Sequence, residues 1–141
     1  MLGFLIAKQK VRTAFSYFND RNMEKFLSLW DENATFTYPG NLSVSGTKEG
    51  KVAKSDWFNN LMDAGPSVHF SLKSICVNNI FDIVGTNVII AEWDNSVTNR
   101  KGIDMLVEGV SIIRIKMGKI VEVRDYIFDL DNLPVAWCEE I

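Results

Sequence analysis

The stretch Met105 to Phe128, MLVEGVSIIRIKMGKIVEVRDYIF, decides how the chain is read. Two runs with apolar residues at alternate positions flank Lys116-Met117-Gly118, and a period of two is the mark of strands with two distinct faces. Gly118 suits the left-handed third position of a three-residue hairpin loop, in which a type I turn is followed by a bulge. That loop sets Ile113 against Val121, Ser111 against Val123 and Gly109 against Asp125 on one face, with Val107 and Ile127 extending the row. Asp125 is the one carboxylate in it. Such a group must be paired, hydrated in a cavity or neutralised by a raised pKa, because burying it bare is prohibitive. Gly109 contributes no side chain and leaves space opposite it, so the two predict the floor of a concave pocket.

The reverse face carries Leu106, Glu108, Val110, Ile112 and Arg114 on one strand, and Ile120, Glu122, Arg124, Tyr126 and Phe128 on the other. It is too apolar to face water. With helices available for only one side of the sheet, it predicts a homodimer joined through the convex face, Glu and Arg pairs lying at the rim.

Working outward, turn signals separate further strands at Val68 to Val77, Ile80 to Val84 and Asn87 to Val97, while Met105 to Lys116 and Ile120 to Phe128 form the hairpin. Upstream the period is helical. Leu5, Val11, Ala14, Phe15 and Phe18 share one face of a helix over Leu5 to Asn19. Asn22 caps a short second helix through Leu29-Trp30, with Glu24 in its first turn where a carboxylate suits the dipole. Thr35 to Tyr38 turns extended, Pro39-Gly40 breaks that strand, and the residues through Gly46 form a loop. Thr47 caps a third helix with a buried stripe of Val52, Phe58, Leu61 and Met62, stopped by Gly65-Pro66. The acidic tail from Asp129 packs back loosely. Helices first and a meander after them predict an α+β fold, helices covering one face of an antiparallel sheet, since parallel neighbours would require long crossovers.

The chain of 141 residues, 47% hydrophobic and 23% charged, predicts a single domain over 1–141. Fifteen basic against eighteen acidic side chains leave −3, which argues against a nucleic-acid partner. The apolar run Met1 to Ala7 has no preceding basic region and no cleavage site after it, so it starts a helix. Nothing approaches the ~20 apolar residues of a membrane span. A cytoplasmic protein with no membrane partner follows. Cys76 and Cys138 have no cysteine or histidine at ligand spacing, which predicts free thiols, no metal and no cofactor.

Asp94 and Asp125 form a candidate acid and base pair, one ionised and one protonated; alternatively Asp125 hydrogen-bonds a buried Tyr or Trp. Glu92 and Asp94 share a face by alternation, and the opposite phase turns Ala91 and Trp93 inward and exposes both acids. His69, the one histidine, either reaches the pocket mouth as a proton shuttle or stands on an edge strand in solvent. Tyr17, Trp30, Tyr38, Trp57 and Phe58 either clamp a flat ligand or pack the core. The candidate catalytic set is therefore Asp125, Asp94 and Tyr38, and the candidate ligand contacts are Trp30, Trp57, Phe58, His69, Gly109, Ser111 and Val123.

With helix, helix, TFTYPG, helix and a meander ending GKIVEVRDYIFD, the chain resembles the nuclear transport factor two-like superfamily and, within it, the SnoaL-like branch. Gly118, Lys119, Ile120, Arg124, Asp125, Tyr126 and Asp129 carry the match to its closing strand. The resemblance implies a cystatin-like α+β barrel, a cone of helices closed by a curved antiparallel sheet, with dimers through the convex face. Members include limonene epoxide hydrolase, ketosteroid isomerase and polyketide cyclases. Asp125 is similar to one acid of the hydrolase's Asp-Arg-Asp triad and Asp94 to the other, but Glu92 stands where its Arg would be. Tyr38, before Pro39, occupies the position of the isomerase's base, and Ser111 that of its protonated acid. Both constellations are broken, so the expectation is a protein that binds a small apolar molecule inside the cone. The alternative is a cofactor-independent lyase, isomerase or hydrolase working through Asp125.

Overall fold

The computed structural model describes residues 2–140, apart from the side chain of Ala64; Met1 and Ile141, the ends of the expected domain, lie outside them. The elements in order are α1 (Leu2–Asn19), α2 (Met23–Ser28), β1 (Trp30–Tyr38), β2 (Gly46–Glu49), α3 (Gly50–Ala64), β3 (Ser67–Val77), β4 (Asn87–Thr98), β5 (Asp104–Lys116), β6 (Lys119–Ile127) and α4 (Leu133–Trp137). The strands form one curved sheet in the order β2-β1-β6-β5-β4-β3, and the helices cover one of its faces: the α+β class is as expected. No described helix is long and apolar enough to cross a membrane.

One pairing breaks the antiparallel expectation. β1 runs parallel to β6, Phe36 beside Val123 and Thr37 beside Arg124. The crossover between them is most of the chain, α3 included, so the length requirement for parallel neighbours is met by everything in between.

Helix α1 buries Ala7, Val11, Ala14 and Phe18; of the expected stripe Val11, Ala14 and Phe18 are buried, Phe15 is partly so and Leu5 is 52% exposed, and the helix begins earlier, at Leu2. Its last residue works as a substitute strand: the Asn19 side chain donates to Phe70 O at 2.8 Å and accepts from Phe70 N at 2.9 Å, fixing the helix to edge strand β3. Asn22 caps α2 by accepting from Lys25 N, but Trp30 opens β1 instead of closing the helix. Thr47 is not a cap. It pairs with Thr37 in a ladder with the two hydroxyls 2.9 Å apart, and α3 starts after Glu49 with no side-chain cap. In α3 the buried side chains are Lys54, Trp57, Phe58 and Leu61, while Val52 is 73% exposed. Buried Lys54 is accommodated by a bond to Asp31 O at 2.7 Å and by the Trp30 ring beneath it.

Residues Ile80 to Val84 are a loop, not a strand. Side chains hold backbone groups that a ladder would have taken: Asn87 bonds both the N–H and the carbonyl of Asn79, and Asp82 accepts from Val84 N and Thr86 N. The tail also departs from expectation. Leu133 and Ala136 are buried, and α4 is fastened by Asn99 to Val135 O and by Ser43 to the Glu139 carboxylate, so it forms a wall.

The decisive hairpin differs in register. Lys116 pairs with Lys119, leaving a two-residue turn in which Met117 and Gly118 both have positive φ, 50° and 81°, the signature of a type I′ turn matched to strand twist. A bulge then leaves Val121 unpaired between Ile115 opposite Ile120 and Arg114 opposite Glu122. It turns Ile120, expected outside, into the core, where it is 2% exposed. The shorter turn and the bulge each move the register by one residue, and together they move it by two. Beyond the bulge the faces are therefore unchanged: Ile113 meets Val123, Ser111 meets Asp125 and Gly109 meets Ile127. Asp125 points inward, opposite Ser111 rather than Gly109.

The outer face carries Ile90, Leu106, Tyr126 and Phe128, exposed by 41–67%. Charges stand among them: Arg114 Nε contacts Glu122 at 3.1 Å, and the Arg124 guanidinium lies over the Tyr126 ring while donating to its hydroxyl.

Candidate functional site

The helices, α4 and the inner face of the sheet enclose a cavity of about 100 Å³. Its wall is aromatic and aliphatic: Phe36 packs on Trp57 with ring centres 4.8 Å apart, Phe70 on Trp93 at 4.9 Å, and Trp57 on Trp137 at 5.8 Å. Of the predicted residues, Trp30, Tyr38, Trp57, Phe58, Ser111, Val123 and Asp125 line it.

Three predicted residues do not. Asp94 lies on the outer face, its carboxylate 3.5 Å from Lys73 Nζ, with Glu92 on the same lysine at 3.7 Å. Ala91 and Trp93 take the inward phase, 0% and 2% exposed, so the pairing of Asp94 with Asp125 is set aside. His69 belongs to the exposed phase of edge strand β3, whose inward neighbours Val68 and Phe70 reach the cavity in its place. Gly109 provides space, but the Trp93 indole fills it: a Cβ there would stand 2.6 Å from Trp93 Cη2 and 2.5 Å from Tyr126 O.

The ring packed over Gly109 starts a relay. Trp93 Nε1 donates to Ser111 Oγ at 2.9 Å, and Ser111 Oγ donates to Asp125 Oδ1 at 2.6 Å. The Ser111 oxygen accepts from the indole, which has no acceptor to offer in return, and its single O–H is given to the carboxyl. No lysine or arginine pairs with Asp125 among the described residues. Burial pushes the Asp125 carboxyl up to about 7, with the Ser111 hydrogen bond pulling in the opposite sense. Desolvation thus outweighs one hydroxyl, and the group changes charge near neutral pH.

Tyr38 stands beside it, because the parallel register that sets Thr37 by Arg124 brings the next residues of both strands together. Trp137 Nε1 donates to the Tyr38 hydroxyl at 2.9 Å, which leaves the phenol proton free for another acceptor. Burial first, opposed by the Trp137 bond and aided by the Asp125 charge, raises the Tyr38 pKa above its ordinary value. The phenol is a donor at every physiological pH. Asp125 and Tyr38 together form a proton-exchanging carboxyl next to a permanent O–H, at the side of an otherwise apolar chamber.

Trp93, Asn95 and Trp137 also line the chamber and are absent from the sequence-derived set. For the first two the signal was the inward phase of β4; for Trp137 there was none, since nothing local distinguishes a terminal helix that docks from one that frays. No group of three or more His, Cys, Asp or Glu able to hold a metal occurs among the described residues.

Residues 11–123 match the model of the SnoaL-like domain. A relative from Bacillus subtilis (strain 168), the uncharacterised protein YesE, is 30% identical over 129 residues, covering 89% of this chain and 84% of its own. Among solved structures, a proposed isomerase from Bacillus subtilis is 27% identical with a TM-score of 0.77, covering 96% of this chain and 95% of that one. A nuclear transport factor two-like protein of unknown function from Burkholderia pseudomallei superposes with a TM-score of 0.82 at 17% identity, over 94% and 97% of the two chains.

Proposed function

From the premise that the chain belongs to the SnoaL-like domain family, we propose that it binds a small apolar molecule in the cavity, with Asp125 and Tyr38 as the polar anchor. The observation that carries this reading is the isolation of one carboxyl, held by Ser111 and raised to about 7, in a chamber whose other walls are largely rings and aliphatic side chains. A few convergent polar groups in an apolar concavity are the general form of a small-ligand site.

Titration calorimetry with 2-naphthol tests it. The wild-type protein should take up the probe, and Val123→Phe, which fills the chamber from its floor, should abolish uptake; equal binding by both proteins would place the probe elsewhere and defeat the reading.

A second reading is acid and base catalysis without a cofactor, as lyase, isomerase or hydrolase. It is favoured by the same carboxyl, since a group that titrates near the working pH both takes and gives protons efficiently, and by the free Tyr38 proton beside it. Asp94 has no part in it. On a substrate that is turned over, the rate would show an inflection near pH 7, and Asp125→Asn would lower it by at least ~10²-fold.

The apolar outer face supports a homodimer through the convex side of the sheet, and the two free cysteines suit a cytoplasmic protein.

A further inference from the structure

Asn95 lies on the inner face of β4, 8% exposed, among the cavity-lining residues. Its side-chain oxygen is buried and has no hydrogen-bond partner, and its amide nitrogen bonds no protein group among the described residues. Leaving a buried amide unmatched is costly, and such groups in folded proteins are normally satisfied. Asn95 is flanked on β4 by Trp93 and Val97, faces Val107 on β5 and Phe70 on β3, and all four neighbours line the same chamber. None offers a side-chain partner that is free: the Trp93 N–H already serves Ser111. The missing partner must therefore come from the contents of the chamber.

Its place relative to Asp125 follows from the register. Asp125 is level with Ser111 and Ala91; Asn95 is level with Val107, four residues further along and two strands across. At ~3.4 Å per residue and ~4.8 Å per strand the two backbones would be roughly 17 Å apart in a flat sheet. The curvature of the sheet and the two inward side chains shorten that gap, and the space between is walled by Phe70 and Trp93, rings that favour a flat partner.

We infer that Asn95 is a second polar anchor, and that the ligand is an elongated, mainly apolar molecule with a hydroxyl at the end away from Asp125. A hydroxyl serves an amide in either orientation, accepting from its nitrogen or donating to its oxygen. The inference rests on the proposed use of the cavity and adds the polarity and reach of what fills it.

Three proteins and two probes separate the possibilities. 2-Naphthol carries one hydroxyl, enough for the Asp125 end; 2,6-dihydroxynaphthalene carries a second at the opposite end. By calorimetry the wild type should prefer the diol by roughly fivefold or more, the worth of one added hydrogen bond. Asn95→Leu should lose the preference, whereas Tyr126→Phe, altered on the outer face, should keep it. An unchanged preference in Asn95→Leu, or none in the wild type while 2-naphthol still binds, overturns the role of Asn95 and leaves the cavity reading intact. Failure of both probes to bind removes both. Should Asn95→Leu not fold, the side-chain amide resonances of Asn95 in the wild type decide: they shift with the diol and not with 2-naphthol if the inference holds, and respond alike to the two if it does not.

Discussion

The two faces of one sheet treat the same chemical group in opposite ways. On the outer face of β4 the Asp94 and Glu92 carboxylates share Lys73, both at least partly in water. On the inner face of β6 Asp125 has no cation, only the hydroxyl of Ser111, itself held by an indole. Outside, charge is matched by charge and contributes little, because water and salt screen the pair. Inside, one carboxyl is kept from solvent and its proton becomes negotiable near neutral pH. The lesson is that a strand's phase, more than the residue type, decides whether an acid is decoration or a working group.

The sharpest way to break the contrast is to disturb what holds the inner carboxyl. Gly109→Ala forces a methyl to within 2.5 Å of Tyr126 O and 2.6 Å of Trp93 Cη2. The carbonyl belongs to the ladder and cannot withdraw, so we expect a loss on the order of 3 kcal/mol in urea denaturation, and in any folded fraction a Trp93 indole N–H resonance displaced from its bonded position.

Asp125→Asn comes next, and its sign depends on pH. An unfolded aspartate ionises near 3.9, whereas Asp125 in the fold does so near 7. The folded state thus holds a proton that the unfolded chain has released. Wild-type stability should fall as pH rises from about 4 to about 7 and level off above that. The amide cannot ionise and still accepts from Ser111, so the variant should match the wild type at pH 4 and exceed it by about 4 kcal/mol at pH 8. Parallel stability curves for the two proteins across that window would remove Asp125 from its buried role.

The outer face supplies the smaller effects. Arg124→Glu sets a negative charge two residues from Glu122, opposite Ile112, on the apolar surface proposed for dimerisation. Sedimentation should show the dimer dissociating at roughly tenfold higher concentration, about 1.4 kcal/mol, with monomer stability nearly unchanged; a wild type that is monomeric at micromolar concentration would end the dimer proposal. Asp94→Asn, which only loosens a partly exposed pair, should alter stability by less than about 1 kcal/mol and leave 2-naphthol binding as it was.

Much of this was legible in residues 105–128. Alternation alone sent Asp125 inward, and the fold class followed from helices preceding strands. Its opposite residue was not legible, because turn length and bulge are each decided by one residue, and Met117 in a left-handed conformation is a choice that tertiary pairing imposes against local preference. Two shifts of one residue happened to preserve the face while exchanging Gly109 for Ser111, which turned an expected gap into a hydrogen bond. The phase of β4 was ambiguous for a different reason: Glu92-Trp93-Asp94-Asn95 carries polar residues on both faces, and Asn95 is hidden from any hydrophobicity argument because it is a polar residue on the buried side. The aromatic residues of the helices and β1 were read as either core or site, and in a cone whose core is its cavity wall they are both.

The parallel seat of β1 between β2 and β6 sets a timetable for the growing chain. β1 and its short partner β2 leave the ribosome long before residues 119–127, and until β6 arrives the inner edge of β1 has nothing to bond. The N-terminal half cannot mature first, since contacts of such long sequence separation are slow to form. Nascent chains stalled before β6 would expose an aromatic strand edge, Phe36 among it, to other copies. The sheet therefore becomes continuous only once β6 has been made, and the burden of waiting falls on β1 rather than on β6.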